Sequence, residues 1–155
     1  MKSTWARVKV AAIAICIAIV LVTCTQVLGR EVEPVEHTWR IIRVLDGDTV
    51  QFEAAWVPDP LPKRISVRIY GIDTPEKGHR AKCPNEDTLG QQATDFTRST
   101  VAAARSVTVR LREWDKYGGR VIGDVMVDGR SMASLLIIAG LAREYYGDAK
   151  TSWCD

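Results

Sequence analysis

Arg-Ile-Tyr-Gly-Ile-Asp-Thr-Pro-Glu, residues 68–76, is the most informative stretch of this sequence. It continues an alternation of apolar and polar residues that precedes it, and a period of two predicts a β-strand. The strand ends before Pro75, because proline has no amide hydrogen to donate to a neighbouring strand. The stretch therefore presents Arg68 at one end and two carboxylates, Asp73 and Glu76, at the other.

Two further motifs lie between predicted strands. Asp46-Gly47-Asp48-Thr49 contains Asp-Gly, which is the turn chemistry expected of a hairpin, and it adds a second carboxylate where the next strand begins. Asp115-Lys116-Tyr117-Gly118-Gly119-Arg120 connects two more apolar segments. Either motif alone is consistent with an ordinary surface turn, so the functional prediction depends on finding all three motifs in order.

With these three motifs in order, the sequence resembles the staphylococcal nuclease (thermonuclease-like) family over about residues 39–146. The chain departs from the family pattern at Gly119, an extra residue between Tyr117 and Arg120. We expect the two adjacent glycines to absorb it as a bulge or a wider turn, because glycine adopts such conformations easily. Arg120 should then face the same site as Arg68.

Hydrophobic periodicity predicts a mainly β protein with helices, of the α+β class. The predicted strands are Trp39–Leu45, Thr49–Glu53, Arg64–Tyr70, Val107–Glu113 and Val121–Val127. Apolar residues from Leu89 to Ala104 recur at helical spacing between the third and fourth strands, and Asn85 or Thr88 is the expected helix cap. A short C-terminal helix is expected between Ser131 and Gly140. This order is that of a closed five-stranded OB-fold barrel, the fold that the resemblance also implies.

The resemblance implies Ca²⁺-dependent hydrolysis of phosphodiester bonds. By role, the matching residues are Asp48, Asp73 and the carbonyl of Thr74 for the metal; Arg68, Glu76 and Arg120 for catalysis; and Lys116, Tyr117 and Tyr146 for nucleotide binding. The residue types suit these roles. Carboxylates are hard ligands for Ca²⁺, a glutamate serves as general base, and the planar arginine side chain grips phosphate through two oxygens.

Nucleic acid is the partner that this pattern predicts, with DNA the expected substrate and RNA an open alternative. Tyrosines stack on any base, so we expect little sequence specificity. We also expect the enzyme to be a monomer. The competing hypothesis is a noncatalytic OB-fold module that binds nucleic acid or protein. Degenerate modules of this family lose acidic ligands or an arginine. This chain keeps all five such residues: Asp48, Asp73, Glu76, Arg68 and Arg120. This favours the enzyme.

The N-terminal residues have the pattern of an export signal. Lys2, Arg7 and Lys9 precede an unbroken apolar run of thirteen residues, 10–22. Such a run is short for a membrane span. We therefore expect residues 1–29 to be a signal peptide, or otherwise a membrane anchor, followed by a flexible leader at 30–38 and the nuclease domain at 39–155. The expected location is periplasmic or secreted, with membrane association only if residues 1–29 are not cleaved.

Removal of the N-terminal segment changes the charge and the cysteine content of the chain. Removing residues 1–29 takes away three of the 21 basic residues and none of the 19 acidic ones, which leaves a net charge of −1. A near-neutral protein lacks the broad positive field of a protein that coats DNA. Cys83 and Cys154 are then the only cysteines. Because an exported protein meets oxidising conditions, we predict a disulfide between them.

Overall fold

The computed structural model describes residues 35–116 and 118–154, which belong to one compact unit that begins at Pro34. The predicted signal or anchor, residues 1–29, lies outside the described residues, as do most of the predicted leader and Tyr117. In the part of the chain that is described, no helix has the length and apolar character needed to span a membrane.

Short strands and two helices make up the unit. The strands are β1 (Glu36–His37), β2 (Ile41–Asp46), β3 (Thr49–Glu53), β4 (Arg64–Ile69), β5 (Ile72–Asp73), β6 (Val107–Trp114), β7 (Val121–Val127), β8 (Arg130–Ser131) and β9 (Arg143–Glu144). The helices are α1 (Pro84–Ala103) and α2 (Met132–Ile138), and a turn of 3₁₀ helix covers Gly78–Arg80. The predicted α+β class is confirmed.

Within the described residues, the main sheet has the order β1-β6-β7-β4-β3-β2, with β8 beside β7. Neighbouring strands are antiparallel except for β4 and β7, which pair in parallel. A parallel pair needs a long crossover connection, and here that connection contains α1 and β6. The register aligns Val67 with Val121 and Arg68 with Ile122, so β7 begins beside the part of β4 that contains Arg68.

The sheet is OB-like, as expected, although no hydrogen-bond ladder between β1 and β2 is found among the described residues. Strand β2 covers most of the predicted first strand, Trp39–Leu45, and pairs with β3, whereas the separate strand β1 pairs with β6. β1 and β2 stand at the two ends of the strand order, yet only residues 38–40 separate them along the chain, so the sheet must curl to bring its two edges close together. Glu36 and His37 fall in the stretch expected to be a flexible leader, and they form an edge strand instead.

The core follows the alternation read from the sequence. Along β4, Val67 and Ile69 are fully buried while Arg68 between them is only partly buried. The same alternation runs through β7, and Phe52 of β3 is fully buried. Each such large side chain contributes about 1.5–3 kcal/mol when it leaves water. The apolar face thus fixes the register of β4 and with it the direction of Arg68.

Helix α1 begins earlier than its apolar positions suggested. Pro84 occupies the first turn, where its fixed φ is favourable and its missing amide hydrogen costs nothing. Cys83 is the N-cap, and its Sγ accepts a hydrogen bond from the amide of Glu86 at 3.4 Å. The expectation that Asn85 or Thr88 caps the helix was therefore wrong.

A disulfide joins Cys83 to Cys154, with the two Cα atoms 5.8 Å apart and a sequence separation of 71. The bond connects the cap of α1 to the C-terminal segment. In the chain-entropy account, closing a loop of this size stabilises the folded protein by about 4 kcal/mol.

Gly90 allows α1 to lie directly against the loop that contains Glu76. A Cβ at Gly90 would be only 2.3 Å from the carbonyl oxygen of Glu76 and 2.8 Å from that of Pro75. Backbone atoms cannot rotate away as a flexible side chain can. A side chain at this position would therefore push the helix and the Glu76 loop apart.

We predict that Gly90→Ala destabilises the protein by about 1–3 kcal/mol, the range for overpacking, although glycine-to-alanine in a helix normally stabilises. Guanidinium unfolding measures the change. Ser99→Ala, on an exposed part of the same helix, is the control and should change stability by less than about 0.5 kcal/mol. A Gly90→Ala protein more stable than wild type would contradict the close contact.

Candidate active site

Asp48 and Arg68 form the buried centre of the site. Asp48 follows the tight turn between β2 and β3, where the hydroxyl of Thr97 in α1 donates to the carbonyl of Gly47 at 2.7 Å. Both terminal nitrogens of Arg68 lie 3.0 Å from the carboxylate oxygens of Asp48. The Arg68 side chain is only 16% exposed and that of Asp48 4%. The turn and β4 thus hold a charged pair away from water.

Asp73 lies beside this pair. Gly71, at φ 79°, bends the chain out of β4 and into β5, which pairs with β9 near the C-terminus. One oxygen of Asp73 is 3.5 Å from Arg68 and 2.6 Å from Nζ of Lys150. The other accepts a hydrogen bond from the indole of Trp153 at 3.4 Å. Arg68 therefore connects the two carboxylates predicted to hold the metal.

The predicted third ligand and general base follow directly in sequence. The amide of Thr74 donates to Asp48 at 3.4 Å, so the Thr74 backbone lies against that carboxylate. The Glu76 side chain is 33% exposed and pairs with Arg80 at 3.3 Å and with Lys150 at 3.8 Å. Glu76 is accordingly the carboxylate of this group that water reaches most easily.

A cleft of about 480 Å³ lies next to this acidic cluster. Its lining includes Arg68, Tyr70, Glu113, Trp114, Lys116, Arg120, Tyr145, Tyr146 and Lys150. The structure thus brings Arg68 and Arg120 to one concave surface. Gly118 and Gly119 both adopt positive φ, 71° and 76°, in the loop that precedes Arg120. Arg120 donates to Asp115, which is buried.

Tyr146 projects from the wall of the same cleft. Its side chain lies edge to face with Tyr70, with 5.7 Å between ring centroids, and the residue is 64% exposed. A Cβ at Gly71 would lie 3.1 Å from the Tyr146 ring, so this glycine also makes room for it. Of the nucleotide-binding residues predicted, Lys116 and Tyr146 line the cleft, and Tyr117 is outside the described residues.

A second cleft, of about 310 Å³, contains the carboxylates of Asp73 and Glu76. Its lining comprises Asp73, Glu76, Arg80, Lys82, Glu86, Lys150, Thr151, Ser152 and Trp153. Lys150 lines both clefts. Although burial, the largest single influence, lowers the pKa of Lys150, its hydrogen bond to Asp73 and the charge of Asp73 raise that pKa above the ordinary value. Lys150 therefore adds a positive charge between the two clefts.

Burial raises the pKa of Asp48 to about 7. The charge of Arg68 opposes this shift, whereas the neighbouring carboxylate of Asp46 adds to it. Asp46 in turn pairs with Arg80 at 3.2 Å, and its other oxygen is buried without a hydrogen-bond partner among the described residues. The acidic cluster is therefore short of positive charge.

The donor chemistry of this cluster fits a hard cation. Carboxylates such as those of Asp48 and Asp73, and a backbone carbonyl such as that of Thr74, are the kind of oxygen ligand that Ca²⁺ takes. One buried oxygen of Asp46 has no hydrogen-bond partner among the described residues, so a cation nearby would stabilise it. Among residues 35–116 and 118–154, however, no three acidic, cysteine or histidine side chains surround one point. Arg68 and Lys150 instead supply the positive charge that the carboxylates face.

Four residues of the site were not expected from the sequence: Asp46, Arg80, Lys150 and Trp153. Asp46 was assigned only to the turn, although it is part of the same Asp-Gly-Asp motif. Arg80 lies four residues after Glu76, a spacing that can indicate an ion pair. Lys150 and Trp153 are close in sequence to Cys154, so the predicted disulfide was the signal that could have placed them here.

Comparison with known proteins identifies the family of this chain. The family described as staphylococcal nuclease homologue matches residues 66–153. An uncharacterised endonuclease of Escherichia coli is 36% identical over 107 residues, covering 68% of this chain and 60% of that protein. A thermonuclease of Staphylococcus hyicus is 33% identical over 114 residues, covering 70% and 59%. The chain therefore aligns with about three fifths of the length of each relative.

The raised pKa of Asp48 predicts how metal-free protein responds to pH. Between about pH 4 and 7 the folded protein keeps a proton on Asp48 that the unfolded chain releases, so unfolding becomes easier as pH rises. Asp48→Asn has no carboxyl at this position, so it should not lose stability in this way as pH rises. With a chelator present, the unfolding free energy of Asp48→Asn minus that of wild type should increase by about 1–3 kcal/mol from pH 4 to pH 8.

Asp87→Asn is the control for that experiment. The amide of Gly78 donates to Asp87 and lowers its pKa, so its titration is confined to more acidic solution. Its difference from wild type should stay flat between pH 4 and pH 8. A flat difference for Asp48→Asn as well would contradict the assignment of a buried, proton-binding carboxyl.

Proposed function

Because this chain belongs to the staphylococcal nuclease homologue family, we propose that it is a Ca²⁺-dependent nuclease that hydrolyses phosphodiester bonds of nucleic acid. One observation carries the proposal. Arg68 contacts both predicted metal-binding carboxylates, at 3.0 Å and 3.5 Å, and lines the same cleft as Arg120. Three motifs that are far apart in sequence thus supply acidic and phosphate-gripping side chains to one place.

Asp48 and Asp73, with the carbonyl of Thr74, are the residues proposed to hold the cation. Both carboxylates are buried, so their charge is poorly screened by water and attracts a dication strongly. A bound Ca²⁺ supplies positive charge that offsets the charge of the phosphodiester and of the transition state. The fold places these oxygens at strand ends, because Asp48 directly precedes β3, Asp73 ends β5 and Thr74 follows it.

Arg68 and Arg120 are proposed to bind the phosphate that is cleaved. Both guanidinium groups have partners within the protein, Arg68 with Asp48 and Arg120 with the buried Asp115. These partners fix the orientation of each planar group before substrate arrives. A guanidinium held in this way can donate to two phosphate oxygens, and it strengthens its bonds as negative charge builds up.

Glu76 is proposed to take a proton from the attacking water. It is the carboxylate of the cluster most open to solvent, and its ion pairs with Arg80 and Lys150 aim it into the cleft that contains Asp73. Gly90 sets the distance of this loop from α1. A general base in such a position accelerates hydrolysis by about 10²–10⁴-fold.

Nucleotides are proposed to lie along Lys116, Tyr117 and Tyr146. The exposed ring of Tyr146 offers a stacking surface that any base can use, and Lys116 adds positive charge for the backbone. Stacking contributes about 1–3 kcal/mol per base and carries little sequence information. The proposed substrate is therefore DNA, or RNA as well, without a defined sequence.

The proposed roles separate by the way each variant fails. Asp73→Ala should lose Ca²⁺ affinity together with turnover, because a ligand is removed. Glu76→Gln should bind Ca²⁺ and nucleic acid nearly as well as wild type and cleave about 10²–10⁴-fold more slowly. Arg120→Lys should also cleave slowly, since a point charge cannot reproduce a bidentate grip. Calcium titration and cleavage of single- and double-stranded DNA measure these effects.

Arg98→Lys is the matched control, because Arg98 is an exposed arginine of α1 that pairs with Asp95. Its cleavage rate should equal that of wild type. A Glu76→Gln protein that cleaves at the wild-type rate would refute the mechanism. A wild-type protein that binds nucleic acid at saturating Ca²⁺ and never cleaves it would instead support a noncatalytic OB-fold module.

Export is the last part of the proposal, and it is supported by the basic and then apolar sequence of residues 1–29. We expect this segment to be removed near Gly29 after export to the periplasm or the medium. Intact mass of the protein recovered outside the cytoplasm checks this. Full-length protein that stays with membranes would show that residues 10–22 act as an anchor.

A further inference from the structure

Lys150 occupies an unusual position between the two halves of the site. Its Nζ is 2.6 Å from Asp73 and 3.8 Å from Glu76, the proposed metal ligand and the proposed general base. The same side chain lines both the carboxylate cleft and the cleft that contains Arg68 and Arg120. It is 42% exposed, so its flexible stem has room to move.

The backbone that carries Lys150 is held at both ends. Before it, β9 pairs with β5 and the amide of Tyr145 donates to the carbonyl of Gly71 at 2.9 Å. After it, the side chain of Asn85 donates to the carbonyl of Trp153 at 3.0 Å, and the disulfide fixes Cys154. We call residues 145–154 the C-terminal strap. The strap keeps Lys150 at the junction whichever cleft its ammonium group enters.

Charge decides where that ammonium group can lie. Without a cation, Asp73 and Glu76 attract it, and it offsets their charge. A dication on Asp73 would repel an ammonium group at 2.6 Å. The anions then within its reach are Glu76, at 3.8 Å, and a phosphate held by the arginines of the neighbouring cleft, which Lys150 also lines.

We propose that Lys150 is a further substrate-binding residue, paired with Asp73 in the cation-free protein and released to the substrate phosphate when Asp73 binds its cation. This inference rests on the proposed nuclease function. It makes two predictions of opposite sign for a variant without the ammonium group. Lys150→Met should bind Ca²⁺ more tightly, because a competitor is removed, and should bind nucleic acid less tightly, because a phosphate contact is lost.

Two affinities test the proposal, each measured in protein that carries Glu76→Gln so that substrate is not consumed. Calorimetry with Ca²⁺ alone should show about fivefold tighter binding for Lys150→Met, the value of a partly exposed ion pair. A fluorescent oligothymidylate of eight nucleotides, at saturating Ca²⁺, should bind more weakly. The plot of log affinity against log salt concentration should lose about 0.7 of its slope, the contribution of one phosphate contact on a single strand.

Two control variants separate the effect of the Lys150 charge from damage to the surrounding structure. Lys82 lines the carboxylate cleft, and none of the ion pairs among the described residues involves it. Lys82→Met should leave both affinities within about twofold of the parent. Lys150→Arg keeps the positive charge, so it should retain the salt slope. If Lys150→Arg lowers the salt-dependence slope as much as Lys150→Met does, the structure of the strap rather than the charge of residue 150 sets the affinity. That result would overturn the proposal.

The remaining outcomes are equally decisive. Calcium affinity that is unchanged or weaker in Lys150→Met overturns the proposal, and so does an unchanged oligonucleotide affinity. If neither the Glu76→Gln parent protein nor its Lys150→Met variant binds Ca²⁺, a cation does not displace Lys150 from Asp73, and the proposal is overturned. Failure of the proposed function is a separate result, because it requires that Ca²⁺-loaded wild-type protein, with Glu76 intact, cleaves no nucleic acid.

Discussion

The ion pairs of Arg68 with Asp48 and Asp73 are the interaction on which the arrangement of this site depends. All three side chains are largely buried, where an uncompensated carboxylate costs several kcal/mol. Three separate elements converge at these ion pairs, namely the β2–β3 turn, strand β4 and strand β5, and they hold the three side chains in contact. Arg68 satisfies the carboxylates only in part, as the raised pKa of Asp48 shows. A site in this condition is ready to accept a further positive charge.

The C-terminal strap supplies the second constraint. Trp153 is buried against Asp73, and its ring is covered by the guanidinium of Arg143 at 3.8 Å. The disulfide holds the next residue, Cys154, at the cap of α1, so the helix that contacts the Glu76 loop also anchors the strap. The carboxylate cleft is therefore lined by the strap on one side and by the loop between β5 and α1 on the other. Small movements of either would change the distances among Asp73, Glu76 and Lys150.

Much of this could be predicted from the sequence, because local patterns report local structure. The alternation around Arg68 predicted β4 and the direction of its side chain, and Asp46-Gly47-Asp48 predicted the turn. The contacts of Lys150 and Trp153 were not predicted, because the disulfide was the only signal for them and β5 and β9 are two-residue strands too short to show a period. Strand β1 was missed for the same reason, since Glu36–His37 is also only two residues long.

The buried carboxylates of Asp48 and Asp73 are proposed to form a cation site beside a phosphate-binding cleft. Crystals of the protein grown with Ca²⁺ and then exchanged into Sr²⁺ would locate this cation by anomalous scattering from the heavier ion. We expect one strong anomalous peak within about 2.6 Å of oxygens from both carboxylates, with the ammonium group of Lys150 displaced from Asp73. A peak elsewhere on the protein, or no peak while Lys150 remains paired with Asp73, would contradict it.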